Sequence, residues 1–556
     1  VKIPLKWSSK ESSSPSSLTD QSMGLRITPT VLVLDVPEID DGLRELLKET
    51  LGGKELDSCR WSFPRYRCYA FSILRALPGV TPTPEVDLFL HGNPLDLEPA
   101  DPPRSLEIHR SYSKMYPYQQ RASWALMTRP KGLLLSLSPG LGKSLVSIVA
   151  AEALSYKNVL IVAPLTLLRT WESEIVKWGG YLREITSIKR GSARPETGGV
   201  TLTNYDTVSR HSGLYSKHKW DLVILDESIL VKTRDSKRVK ELSKVTRVAK
   251  KVWCLSGSPI SRHADDLWSQ FHLIDPQGFK SYWRFAEQYC VIEESIWGKI
   301  VRGTKSDIDL RIEFSDIMLV VHQDEVLNLP LEKIEVIDLD LRPDQSQAYD
   351  TLLEEFYIML EGGTELSVSS KMAQLTFLQE IASDLVNVDR QIVSSSKTDT
   401  ILELLDTGYF ELPTIIWTHW RQGAQCLYEE LESRNYVCRY VNGDTSEEDR
   451  ATILEAYKSG DIPILILSMG VGKFGLTLTN TRTMIYKDRT FDMDAYVQSF
   501  ARVRRIGLDH EPTVIILRCP GTTDDLIEEN LIGKSKSLAQ VTNAELLSIL
   551  KSLRGG

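Results

Sequence analysis

Residues 135–147, LSLSPGLGKSLVS, carry the residue types of a phosphate-binding loop. In such a loop backbone N–H groups and a helix N-terminus surround the phosphates. Lys adds charge, and a Ser or Thr hydroxyl ligates magnesium. Pro139, Gly140, Leu141, Gly142, Lys143 and Ser144 supply those groups between GLLLSL, read as a strand, and SLVSIVAAEAL, read as a helix. The full pattern G-x-x-x-x-G-K-[ST] wants Gly at position 137, where the chain has Leu137. A G-x-G-K-S run in an ordinary surface loop is the alternative reading at this point.

Two further groups have the chemistry to act on a nucleotide. DLVILDES, residues 221–228, reads as an apolar strand ending in two carboxylates. Asp226 would hold the magnesium and Glu227 would polarise an attacking water, the two acidic roles of in-line phosphoryl transfer. Strand-end acids also serve as ordinary helix caps. In QSFARVRRIG, residues 498–507, Gln498, Arg502 and Arg505 fall at i, i+4 and i+7. That spacing predicts one helical face, with both guanidiniums aimed into a facing cleft to stabilise transition-state charge. A solvated basic helix would show the same spacing.

These residues need rigid elements to position them. From Tyr112 onward short apolar strands alternate with helices: GLLLSL, VLIVAP, GVTLTN, DLVILDE and KVWCLSGS, then, after a helical and irregular region of roughly 262 to 400, TIIWTHW, VCRYVNG, ILILSM, TMIYKD and TVIILRC. That alternation predicts two parallel sheets covered by helices. Upstream, TPTVLVLDV reads as a strand and DDGLRELLKETLGG as a short helix stopped by glycines, so residues 23–105 form a small α+β unit ending in a Pro-rich connector. The aromatics of WSFPRYRCYAF belong to its core rather than to a base-stacking surface.

Composition narrows the class. At 556 residues the chain is too long for one core, and 42% hydrophobic with 25% charged residues places it among globular proteins with no membrane role. A net charge of -9 argues against coating nucleic acid through bulk charge, although local patches such as VKTRDSKRVKELSKVTRVAKK remain, read here as a solvated helix face. The seven cysteines show no C-x-x-C pair or metal-ligand spacing and are read as reduced core thiols of a cytosolic protein.

In this order the residues resemble helicase superfamily two, and within it the Swi/Snf-type double-stranded-DNA translocases, over roughly residues 112 to 545. MYPYQQRASWAL resembles the adenine-reading segment, with Gln119 as the base contact. VLIVAPLTLLRTWESEIVKW and LTNYDTV are similar to motifs that face DNA, LSGSPI to the coupling motif III, and DDLWSQFHLIDP to the segment that follows it in this branch. TIIWTHWRQGAQCLYEEL resembles motif IV, YVNGDTSEEDRATILEAY the glycine-and-arginine turn before a helix, LILSMGVGKFGLTLT motif V, and GTTDDLIEENLIGKSKSL the C-terminal brace. Phosphate loops of this family commonly lack the first Gly, which accommodates Leu137. The chain departs from the pattern at Ile229, where His is usual, at Ala501 in place of Gly, at Leu508 in place of Gln, and in VVHQDEVLNLP, which lacks paired arginines. Ile229 removes a polar link between the acidic pair and motif III.

The resemblance implies an α/β fold of two tandem RecA-like lobes, parallel sheets flanked by helices, with the N-terminal α+β unit as an accessory. Its divisions would be a Ser-rich flexible tail (1–22), the accessory unit and linker (23–105), an ATP-binding lobe (106–328) and a second lobe (329–556). ATP and Mg2+ follow as cofactors, with Ser144 and Asp226 on the metal and Gly475 joining the nucleotide contacts. Thr166, Arg169, Thr203, Asn204, Lys473 and Thr477 would meet the phosphate backbone of double-stranded DNA, which carries no sequence information. The implied activity is a DNA-dependent ATPase that translocates on duplex DNA and remodels protein–DNA or branched structures, in repair or recombination. A strand-separating helicase, a restriction-system motor subunit and a degenerate DNA clamp are the competing readings. A protein partner could dock on residues 23–105, and a bacterial or phage member would work in the cytoplasm, a eukaryotic one in the nucleus.

Overall fold

The computed structural model describes residues 23–28, 31–36, 39–91, 102–180, 182, 184–189, 195–295, 298–361, 368–388, 395–473 and 477–531. The tail of residues 1–22, Gly475 and the end of the brace motif beyond residue 531 lie outside them. The chain divides into two compact units, residues 1–136, 144–164 and 174–320 in one and 137–143, 165–173 and 321–556 in the other.

In the first unit, strands β1 (Met23–Ile27), β2 (Val31–Asp35), β3 (Lys54–Asp57), β4 (Arg60–Pro64) and β5 (Val80–Pro82) form a sheet in the order β3-β4-β2-β1-β5. Its core takes Trp61 and Phe63, both buried, as the reading of those aromatics required. The following helix, Arg67–Ala76, anchors this small domain to the larger one beside it. Tyr66 donates to Asp275 (2.8 Å), the Arg67 N–H donates to Asp316 (2.8 Å), and Arg75 pairs with Glu313.

Among the described residues the first large sheet has seven strands in the order β14-β6-β11-β10-β7-β9-β8. They are β6 (Gly132–Leu137), β7 (Asn158–Ala163), β8 (Ile185–Ile188), β9 (Gly199–Asn204), β10 (Leu222–Asp226), β11 (Lys251–Ser256) and β14 (Met318–Val321). Neighbours from β6 through β8 pair in parallel. Strands covered on both faces read as near-continuous apolar runs, which is why GLLLSL and LVILD are buried throughout. Parallel pairing also brings the carboxyl ends of β6, β11, β10 and β7 to one edge, the usual ligand edge of an open α/β sheet. Ser136 registers with Ser256, and Leu255 with Asp226.

The second unit repeats the plan with β15 (Lys333–Asp338), β16 (Thr414–Thr418), β17 (Cys438–Val441), β18 (Ile464–Ser468), β19 (Thr483–Tyr486) and β20 (Thr513–Arg518), all parallel, in the order β15-β20-β19-β16-β18-β17. A buried ionic cluster closes this unit. Lys397 pairs with Asp524 (2.7 Å), Lys487 lies 3.7 Å from Asp384, and Asp488 accepts from the Thr418 hydroxyl (2.8 Å) and the His419 N–H. Burial opposes ionisation of Asp488, but Lys487 and Lys397 outweigh it and hold its carboxyl at about 2.

Three expectations change. The region read as helical and irregular also contains the antiparallel hairpin β12 (Cys290–Ser295) and β13 (Gly298–Thr304) and two strands at sheet edges, β14 and β15. Cys59 is exposed and Cys426 partly so, hence not every cysteine is a core thiol. Gln498 sits in the helix Met493–Phe500, but that helix is capped at Ala501 and the chain continues in turns, so Arg502 and Arg505 do not share its face. Tertiary bonding pulls the backbone away, since the Arg502 carbonyl accepts from the Leu478 N–H (2.9 Å).

Candidate nucleotide site

The chain leaves β6 at Leu137, which is fully buried as the last residue of the strand. An extended core position has no need of a glycine, which accounts for the truncated motif. The turn that follows does need glycine, because Gly140 (φ 90°) and Gly142 (φ 86°) take left-handed conformations that side chains rarely adopt. The Leu141 N–H returns to the Ser138 carbonyl (3.2 Å), and the Leu141 side chain is buried, pinning the loop. Pro139 is half-buried. The helix Lys143–Ala153 begins directly after, so the positive end of its dipole lies at the loop, where a phosphate is favoured. Lys143 Nζ donates to the Leu137 carbonyl (3.2 Å), folding back over the loop, and Ser144 is the first-turn hydroxyl, partly exposed. Ser138 is held by bonds to Val321 and Gln323 (3.1 and 3.3 Å).

One strand intervenes between β6 and β10 in the sheet, and β10 ends on the acidic pair. Asp226 is 6% exposed, and its Oδ1 accepts from the Glu227 N–H (3.0 Å). Glu227 is left-handed (φ 49°, ψ 53°), a conformation costing a residue with a Cβ roughly 1–2 kcal/mol. Strain of this kind persists where the surroundings over-determine it. Here the Tyr205 hydroxyl donates to the Asp226 carbonyl (2.7 Å), and the Ser228 hydroxyl is tied to Gln270 (2.6 Å). Burial, with Asp226 close by, raises the Tyr205 hydroxyl well above its ordinary range, so it remains a donor. The Ser144 hydroxyl and the Asp226 carboxylate are hard oxygen donors of the kind magnesium takes. Among the described residues no group of three or more His, Cys, Asp or Glu is placed to hold a metal ion.

Within the second unit, a side chain built on Gly140 would come within 3.0 Å of the Arg505 Cβ, so the loop and this arginine are neighbours. Arg505 donates to the Thr477 hydroxyl (2.9 Å). Arg502 is buried, and the intervening Arg504 is committed to Asp324 (2.9 Å) and Glu332 (3.3 Å). Gln498 is half-buried on its helix.

The remaining expected contacts separate clearly. Thr166, Arg169 and Thr477 are exposed, the first two on the chain leaving β7. Lys473 lies in the turn Met469–Lys473. Thr203 is a correction: it is fully buried in β9 and its hydroxyl donates to the Ile188 carbonyl (2.8 Å), so it cannot reach a phosphate. Asn204 caps the helix Tyr205–Tyr215 by accepting from the Thr207 N–H (3.0 Å), and its amide donates to the Lys189 carbonyl. Gln119 is 3% exposed, and its Oε1 accepts from the Tyr116 N–H (2.9 Å) in a capping box. Sequence reading missed Tyr205, Ser228 and Gln270; the signal for the last was a lone amide inside the apolar helix DLWSQFHLI.

Residues 66–398 match the model of the SNF2-related domain, and residues 396–507 that of the helicase conserved C-terminal domain. The chain belongs to the SNF2-related family. Similar proteins include the SWI/SNF-related matrix-associated actin-dependent regulator of chromatin subfamily A-like protein 1 of Xenopus tropicalis, 23% identical over 78% of this chain and 45% of its own length. Another is the mouse (Mus musculus) DNA annealing helicase and endonuclease ZRANB3, 25% identical over 78% of this chain and 41% of its own length. The chain therefore spans less than half of each. Among solved structures, the SWI2/SNF2 ATPase core of Sulfolobus solfataricus in complex with dsDNA matches 79% of this chain and 94% of its own, at 22% identity and a TM-score of 0.37.

Proposed function

We propose that this SNF2-related chain is a DNA-dependent ATPase that translocates along double-stranded DNA and remodels protein–DNA or branched structures. The observation that carries the reading is the common sheet edge: a glycine-turned loop with Lys143 and Ser144 after β6, and the Asp226–Glu227 turn after β10. In this reading the loop N–H groups and Lys143 bind the nucleotide phosphates. Ser144 and Asp226 hold Mg2+, which supplies charge neutralisation on the phosphates when bound. Glu227 accepts a proton from the attacking water, and its strained backbone keeps the carboxylate at one place during turnover. Arg505, beside Gly140, stabilises developing charge, with Arg502 as second arginine. Gln119 is the adenine contact once its capping bond is exchanged.

Exposed Thr166, Arg169 and Thr477 contact DNA phosphates, which makes binding insensitive to sequence and sensitive to salt. Nucleotide binding and release then shift the protein between states that differ in DNA grip. The docked N-terminal domain offers a surface to a protein partner. A triplex-displacement assay tests the reading: with ATP the protein strips a third strand from a duplex, and Lys143→Ala does not. Unwinding of a forked duplex without triplex displacement would favour a strand-separating helicase instead.

A further inference from the structure

Gln270 has no solvent exposure and sits in a helix, Asp266–Ile274, whose Leu267, Phe271, Leu273 and Ile274 are core residues. A buried amide costs desolvation unless every polar atom is matched, and packing alone would be served better by an apolar side chain. Here each of its groups has a partner. Oε1 accepts the Ser228 hydroxyl (2.6 Å), and Nε2 donates to the Pro259 carbonyl (2.8 Å) and the Asp266 carbonyl (3.1 Å). Ser228, likewise without exposure, directly follows the left-handed Glu227. Pro259 lies in the loop leaving β11, the strand between the loop-bearing β6 and the acid-bearing β10. One side chain therefore bolts the acidic turn to the loop between the two halves of the nucleotide site.

Parallel bonds brace the same junction. Asp266 Oδ2 accepts from the Ser261 N–H (2.8 Å) and the Arg262 N–H (2.9 Å). The Ser269 hydroxyl donates to the Lys232 carbonyl (2.9 Å), and Lys232 Nζ donates to the Ser261 hydroxyl. Ile229, at the position of the expected histidine, offers no polar atom for such a link.

We propose that Gln270 is a positioning residue for ATP hydrolysis: through Ser228 it holds Glu227 in its left-handed place and ties that place to the loop after β11. The proposal rests on Glu227 being the water-polarising carboxylate. It is tested on the full chain by ATP turnover with duplex DNA present, for Gln270→Leu, Ser228→Ala, their double variant, and Glu227→Gln. Gln270→Leu is expected to lower kcat about 10-fold, the equivalent of about 1.4 kcal/mol, with the ATP KM within about 2-fold. The double variant is expected to be no slower than Gln270→Leu alone, because the Ser228–Gln270 bond is already lost in Gln270→Leu. Gln270→Leu strands the buried Ser228 hydroxyl and the Pro259 carbonyl, so its melting temperature falls somewhat; turnover compared well below it, where both proteins are folded, separates positioning from folding. A folded Gln270→Leu with kcat within about 2-fold of the parent, while Glu227→Gln is inactive, would overturn the proposal and leave the Glu227 reading standing. Full turnover in Glu227→Gln would remove that reading itself. If Gln270→Leu does not fold, Ser228→Ala decides, and a parental kcat there overturns the proposal.

Discussion

Replacing Asp316 with Asn should make the protein more stable at neutral pH and change little in acid. The Asp316 carboxyl lies under the helix Arg67–Ala76, where Oδ2 accepts the Arg67 N–H (2.8 Å) and the buried Oδ1 has no hydrogen-bond partner among the described residues. Burial pushes its pKa up to about 6 from 3.8, against the lowering by the Arg67 N–H and by Arg129. The folded state therefore holds the proton more tightly than the unfolded chain, so stability is full below about pH 4 and falls as pH rises through about 6. Over the whole titration the loss is about 3 kcal/mol, of which about 1 to 2 kcal/mol falls between pH 5 and pH 8. Asn keeps an acceptor for the Arg67 N–H and carries no charge at any pH. Urea unfolding of both proteins at pH 5 and pH 8 measures the difference. The advantage of Asp316→Asn should grow by about 1 to 2 kcal/mol from the lower to the higher pH. An identical difference at both values would refute the argument that a desolvated carboxyl opposes docking of the N-terminal domain.

In the second unit, Lys397→Met strands Asp524 and should cost about 3–5 kcal/mol in urea unfolding, while adding Asp524→Asn should recover part of that loss. Glu227→Gly should abolish ATP turnover without lowering the melting temperature, since glycine is free of the roughly 1–2 kcal/mol left-handed penalty carried by Glu. Thr203→Val should lower stability by about 1 kcal/mol through the lost bond to Ile188 and leave DNA affinity unchanged. Arg169→Ala should weaken duplex binding for all sequences alike and flatten its salt dependence, read by fluorescence anisotropy.

The buried parallel strands were legible because coverage on both faces writes itself as an unbroken apolar run, as in LVILD and TIIWT. β15 escaped notice although KIEVID alternates Ile334 and Val336 with charges: the run is short, lies in the region read as helical and irregular, and at the sheet edge leaves both apolar side chains exposed. The glycine turn and the acidic pair were readable because their chemistry demands particular residue types at fixed spacing. Helix termination before Arg502 was not, because no Gly or Pro stands between Met493 and Gly507 and the break depends on a bond from Leu478, distant in sequence. The burial of Thr203 was hidden for a similar reason. A threonine in GVTLTN looks polar until β8 supplies the Ile188 carbonyl on which its hydroxyl rests.

Steady-state ATP hydrolysis with no nucleic acid, duplex DNA, single-stranded DNA and duplex RNA, using Lys143→Ala and Glu227→Gln as controls, tests whether the chain is a duplex-DNA motor. The duplex-DNA motor reading predicts strong stimulation by duplex DNA above the other three conditions, lost in both variants. Hydrolysis driven by single strands or RNA, or none at all with DNA binding intact, would contradict it.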